Sequence, residues 1–403
     1  MNPHDRALRQ VLLLAGAQAL FQSASVGVMT VGGLAGALSA PSPQLATFPI
    51  GTMFLGTALL TIPAAAWMAR VGRRPGFVAG AALGVLAGLV AALGIHSGSF
   101  WMLCVGTFLM GAYQAFAQFY RFAAGEVADD AFRPRAISLV LAGGVAAAFL
   151  GPLVSRWGGP LLHTLYAGSF VLIALASLAA ACLLTRLEIP APPVIPAGSG
   201  RPLITVVSQP GYLVALFGAA TGYGVMIMAM TATPMAMMRH EHSLADAASV
   251  IQMHVLGMFV PSFFTGSLIA RFGVLRIMLC GVAILGGHVL VSLTGSGFQS
   301  FAGAMVLLGV GWNFLFVGGT TLLTSTYNAA EKAGAQAACD MTIFAVGMAC
   351  SLAAAPLLHL VGWQGLNLAL LPWLALAAAA LCGFATLRGR STSGHDPAGA
   401  ARA

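Results

Sequence analysis

Twelve apolar runs of roughly 20 residues, each long enough to cross a bilayer as a helix, punctuate this chain. They fall at about 10–35, 46–69, 76–95, 100–122, 135–154, 162–184, 211–236, 247–270, 277–294, 298–325, 336–358 and 364–387. No water-soluble domain can hide them, because 59% of the 403 residues are apolar and only 7% are charged. Inside a bilayer every backbone N–H and C=O must find its partner within the chain, which confines such runs to helices. The sequence therefore predicts an all-α integral membrane protein of twelve transmembrane helices, with the lipid bilayer as its solvent.

The net charge of +8 does not point to nucleic acid, because the basic residues are scattered through short loops and form no patch. Arg156 and Arg239 fall in loops on one side; nearly all the others, from Arg6 and Arg9 to Arg388 and Arg390, fall on the opposite side or in the tails. By the positive-inside rule both termini are expected in the cytoplasm, with the chain in a bacterial inner membrane. The cysteines lie in or beside apolar runs with no CxxC pair, and read as small buried hydrophobes. Residues 185–208 carry Pro190, Pro192, Pro193, Pro196 and Pro202 and read as a cytoplasmic linker between a six-helix half, 1–184, and a second, 209–388. Residues 389–403 read as a disordered cytoplasmic tail.

The halves repeat. Ala69-Arg70-Val71-Gly72-Arg73-Arg74 follows the second run, and Ala270-Arg271-Phe272-Gly273 follows the eighth. Both loops resemble the G-x-x-x-D-R-x-G-R-R loop of the major facilitator superfamily. The resemblance implies two pseudo-symmetric six-helix halves that rock about a site near the midplane. Ala69 and Ala270 stand where that loop carries an acid. Asp340, a rare acid inside a span, is expected to meet Arg70 or Arg73 as a latch; a proton carrier and a dipole-favoured helix N-terminal carboxylate are the other readings.

Met226 and Met230 lie four apart on the seventh run, and His254 and Met258 four apart on the eighth. Residues four apart share a helix face. If the two helices form an antiparallel hairpin centred near His242, Met226 lies level with Met258 and Met230 with His254. Thioethers with imidazole suit Cu(I). Methionine also fills apolar interiors, so the spacing alone leaves packing open.

The words around these residues resemble the CcoA-like branch of the same superfamily: Met253-His254-Val255-Leu256-Gly257-Met258-Phe259-Val260-Pro261, and Gly311-Trp312-Asn313-Phe314-Leu315-Phe316. That resemblance implies a secondary copper importer of the bacterial inner membrane. Met226, Met230, His254 and Met258 would hold copper as transported substrate and release it to a cytoplasmic chaperone or thiol, supplying assembly of a cbb3-type oxidase. Riboflavin importers of the same branch carry similar stretches, so a transporter of riboflavin or another small organic molecule, or a drug exporter, is the alternative.

Polar and aromatic residues on helices expected to line a passage suit either cargo: Met29 with Gln18 and Gln22, Gln114 and Gln118 with Arg121, and Trp312 with Asn313. No nucleophile–base pair, Walker loop or HExxH points to an enzyme, and no cofactor is expected.

Overall fold

The apolar runs are helices whose ends follow local chemistry. The computed structural model describes residues 3–128, 133–189, 200–328 and 330–393. Pro190, Pro192, Pro193 and Pro196 of the linker, and the tail beyond residue 393, lie outside the described residues.

The first half comprises α1 (Pro3–Ser39), α2 (Phe48–Val71), α3 (Arg73–His96), α4 (Phe100–Ala117) continued by α5 (Tyr120–Val127), α6 (Arg133–Gly158) and α7 (Ala167–Leu184). After a short α8 (Leu203–Val207), the second half runs through α9 (Pro210–Arg239), α10 (Leu244–Phe259) continued by α11 (Ser262–Phe272), α12 (Val274–Ser292), α13 (Phe298–Thr324), α14 (Lys332–Leu368) and α15 (Leu371–Ser393). Among the described residues, 10 stretches are long and apolar enough to span a membrane. One of them, Gly334–Leu387, is 54 residues long and holds both α14 and α15, which part after the bend at Gly362. The 26-residue α6 adds a further crossing. Six helical crossings thus precede the linker and six follow it, with no strand among the described residues. Because each half crosses an even number of times, both ends of the described chain sit on one face, called here the termini face.

The repeated loops adopt one conformation. Gly72 has φ 93° and ψ 166°, and Gly273 has φ 85° and ψ 148°. Each ends one helix and starts the next in a region closed to side chains bearing a Cβ, so the glycine of the repeated motif makes the corner. On the opposite face, Ser243 and Asp246 form a reciprocal capping box that starts α10, with Ser243 N–H donating to the Asp246 carboxylate at 3.0 Å and Asp246 N–H to the Ser243 hydroxyl at 3.1 Å. Pro261 has no N–H to continue the ladder, and the helix divides there into α10 and α11.

Small residues set the packing, as they do where lipid removes the hydrophobic drive between helices. A side chain at Gly111 of α4 would strike the Met53 carbonyl of α2, and one at Gly309 of α13 would come within 2.5 Å of the His254 carbonyl of α10. Across the halves, α2 packs on α14 and α6 on α10.

Candidate functional site

A cavity lies between the halves and is walled by α1, α2, α4, α5, α9, α10, α13 and α14. Its far end is apolar: Met29, Met53, Phe54, Met226 and Met230 are buried. Toward the termini face the wall turns polar and partly exposed, with Gln18, Gln22, Gln118, Arg121 and Asp340. The mouth therefore faces the termini side.

Tyr223 anchors the middle. Gly222 and Gly224 flank it, the first lying against Leu315 of α13 and the second against Val346 of α14, each with under 3 Å to spare for a side chain. Helices thus crowd both sides of this turn of α9 and leave the tyrosine ring to project into the cavity. Three rings surround it: Phe54 of the first half at 6.0 Å and 86°, Phe344 at 5.8 Å and 87°, and Phe316 at 6.1 Å and 38°. Phe316 in turn stacks on Trp312 at 4.9 Å and 13°, and Phe259 meets Trp312 edge-on at 6.2 Å. Edge-to-face and offset stacks of this kind are favourable, and they leave ring faces for a further flat partner. Trp312 Nε1, Gln114 Oε1 and Arg121 Nε have no hydrogen-bond partner among the described residues. Buried polar groups are nearly always paired, so orphans along one cavity mark places where a solute's polar edge would bind.

Of the residues singled out in the sequence, Met29, Gln114, Gln118, Trp312, Met226, Met230, Met258 and Asp340 line this cavity. Asn313 does not. Its amide donates to the Met258 carbonyl at 2.8 Å and the Ser262 hydroxyl at 2.6 Å, and accepts from Thr265 at 2.6 Å, stitching the break between α10 and α11. Arg73 is engaged within its own half, 2.7 Å from Glu126, and Arg70 is exposed on the termini face. The aromatic group of Phe54, Tyr223, Phe316 and Phe344 had no signal in the sequence beyond the glycines beside Tyr223.

His254 is absent from the cavity wall. It is fully buried, its Nδ1 lies 2.9 Å from the Met305 carbonyl of α13, and its Nε2 has no partner among the described residues. The hairpin geometry behind the proposed copper cluster fails for a topological reason. Consecutive helices α9 and α10 are not packed neighbours along their length; α13 packs on both and stands between them. The three methionines reach the cavity while the imidazole points into the α10–α13 seam. Among the described residues, no group of three or more His, Cys, Asp and Glu side chains is placed to hold a metal ion.

Comparison with known proteins points the same way. The family model described as Major Facilitator Superfamily matches residues 11–250. A protein of Brucella anthropi named riboflavin transporter RfnT is 39% identical over 380 residues, 93% of this chain and 96% of its own. Among solved structures, the POT family transporter PepTSo superposes with a TM-score of 0.72 at 14% identity, covering 96% of this chain and 99% of its own. The xylose transporter XylE of E. coli superposes with a TM-score of 0.72 at 13% identity, covering 94% and 98%. The similarity to the riboflavin transporter, together with the missing metal cluster, overturns the assignment to the copper-importing branch. The same findings overturn copper as the transported substrate, copper homeostasis, supply to oxidase assembly and a copper-chaperone partner.

Proposed function

This chain belongs to the Major Facilitator Superfamily, and on that premise we propose that it is a secondary transporter of a flat heteroaromatic small molecule of the riboflavin kind, moved by alternating access. The observation that carries this reading is the aromatic group around Tyr223, built from both halves at the centre of the cavity. A planar ring system inserts among Tyr223, Phe316 and Trp312, while Met226, Met230 and Met258 form a compliant apolar wall that adjusts to its outline. The glutamines toward the mouth take the hydroxyls of a polar side chain. The riboflavin transporter of B. anthropi supports this substrate class through its similarity along nearly the whole chain.

The protein is a multi-pass inner-membrane protein, and the distribution of its basic residues supports placing both termini in the cytoplasm. The state described is then open to the cytoplasm. Residues 1–184 and 209–388 act as the rocking halves, joined by the linker 185–208. When the cytoplasmic side shuts, Asp340 meets Arg70 or Arg73 of the other half.

Growth of a riboflavin-auxotrophic bacterium at limiting riboflavin tests the reading. Expression of the chain is expected to restore growth over a vector control. An equally expressed chain that restores none contradicts it.

A further inference from the structure

Arg121 and Asp340 are the two charged side chains among the described residues lining the cavity, and they come from opposite halves. The Arg121 guanidinium lies 4.8 Å over the Phe122 ring, with its Nε unpartnered among the described residues. Asp340, near the start of α14, lines the same cavity from the opposite half. Tyr223 of α9 lines the same cavity, and Tyr212 and Tyr327 reach the start of α14, three phenols that are uncharged near pH 7. Two of them are already engaged: the Tyr212 hydroxyl donates to the Ala335 carbonyl at 2.9 Å, and the Tyr327 hydroxyl accepts from Gln336 at 2.8 Å. Among the described residues, the cavity wall thus carries one basic and one acidic side chain.

We infer that Asp340 is a selectivity residue: by neutralising Arg121 it restricts the cavity to uncharged solutes and excludes the phosphomonoester of the same heteroaromatic compound. A phosphomonoester carries nearly two negative charges at neutral pH. Leaving bulk water without a matching positive charge costs an ion far more than it costs a hydroxyl. Gln18, Gln22, Gln114 and Gln118 offer donors and acceptors with no charge, which suits a polyol and not a phosphate. Arg121 alone would offset part of the phosphate's cost; Asp340 cancels that attraction and adds repulsion, which is selectivity by misfit of the wrong ligand. The inference rests on the substrate class proposed above.

Titrating the purified protein with riboflavin and with riboflavin 5′-phosphate, followed by flavin fluorescence, tests it. The wild type is expected to favour riboflavin by at least about tenfold, a gap of about 1.4 kcal/mol. Asp340→Asn frees Arg121 and is expected to shrink the ratio to roughly threefold or less, while Asp340→Glu retains it. Equal binding of both flavins by the wild type overturns the inference, as does an unchanged ratio in an Asp340→Asn protein that still binds riboflavin. Should Asp340→Asn fail to fold, Arg121→Gln reads the same balance from the other side. Its mouth is net negative and is expected to widen the ratio; no change there also overturns the inference. If the wild type binds neither flavin, the substrate class itself is wrong and the inference falls with it.

Discussion

Thr47 and Ser351 clasp the two halves together at the face opposite the termini. The Thr47 hydroxyl donates to the Ser351 carbonyl at 2.6 Å, and the Ser351 hydroxyl reaches back to the Thr47 carbonyl at 3.5 Å. Both residues are buried, and Leu352 packs one turn along against Gly51, where a side chain would have 2.6 Å. This contact lies at the sealed end of the cavity, beyond the methionines.

Loosening that clasp is expected to populate the state open to the other face. Thr47→Val removes a hydrogen bond worth about 0.5–1.5 kcal/mol, a shift of roughly two- to tenfold in the equilibrium. A cysteine placed at Gly33, which packs against Met235 near the same end, reports the change through its labelling rate by a polar thiol reagent. The rate is expected to rise in the Thr47→Val background and to stay unchanged if the contact bears no load.

Tyr223 is expected to matter more than any methionine. Tyr223→Ala strips the centre from an array of four rings and is expected to raise the KM for riboflavin uptake about tenfold, the scale of one or two lost aromatic contacts. Met226→Leu, which keeps apolar volume and discards the thioether, is expected to change uptake by less than about twofold. A large effect of Met226→Leu with a silent Tyr223→Ala would reverse the assignment of these roles.

The close approach of α10 and α13 is expected to be intolerant of a single methyl group. Gly309→Ala puts a carbon 2.5 Å from the His254 carbonyl and 2.7 Å from the Met258 amide, both backbone atoms that cannot step aside. Overpacking of this kind costs about 1–3 kcal/mol, read as a lower melting temperature in detergent. Gly303→Ala on the same helix meets Val291 at 3.5 Å, an ordinary contact, and is expected to be neutral or slightly stabilising.

Glu331 gives the protein an acid-sensitive fastening. Arg201, at the end of the linker, donates to it from Nε at 2.7 Å, from Nη2 at 2.8 Å and from its backbone at 2.9 Å. The Arg201 side chain pulls the Glu331 carboxyl from its usual 4.5 down to about 2. A lowered folded-state pKa adds stability above the unfolded value, about 4.3, and that stability drains as pH falls toward about 2. Glu331→Gln is expected to melt below the wild type at pH 7, with the gap closing as the buffer is taken from pH 5 to pH 3. A gap independent of pH would mean the pair is held by shape and not by charge.

Much of this was legible in the sequence. Apolar runs of bilayer length and the repeated Arg-x-Gly corners carry the architecture, because length and left-handed glycine are local properties. Gln18, Gln22, Gln114 and Gln118 stood out for a related reason: an amide in an apolar helix is rare enough to need a use. Helix adjacency was not legible. Placing His254 beside Met230 assumed that chain neighbours are packing neighbours, and the intervening α13 undoes it. Asn313 shows the same limit, since its partners on α10 and α11 become visible only once Pro261 has divided them. The rings around Tyr223 were hidden by number: with 23 phenylalanines in the chain, Phe54, Phe316 and Phe344 carry no mark until the halves bring them together.

Uptake by proteoliposomes containing only the purified protein tests the central claim most directly, with radiolabelled riboflavin and copper offered in parallel. The account predicts saturable riboflavin uptake that falls in Tyr223→Ala, with copper at the level of empty vesicles. Copper accumulation without riboflavin uptake would contradict it.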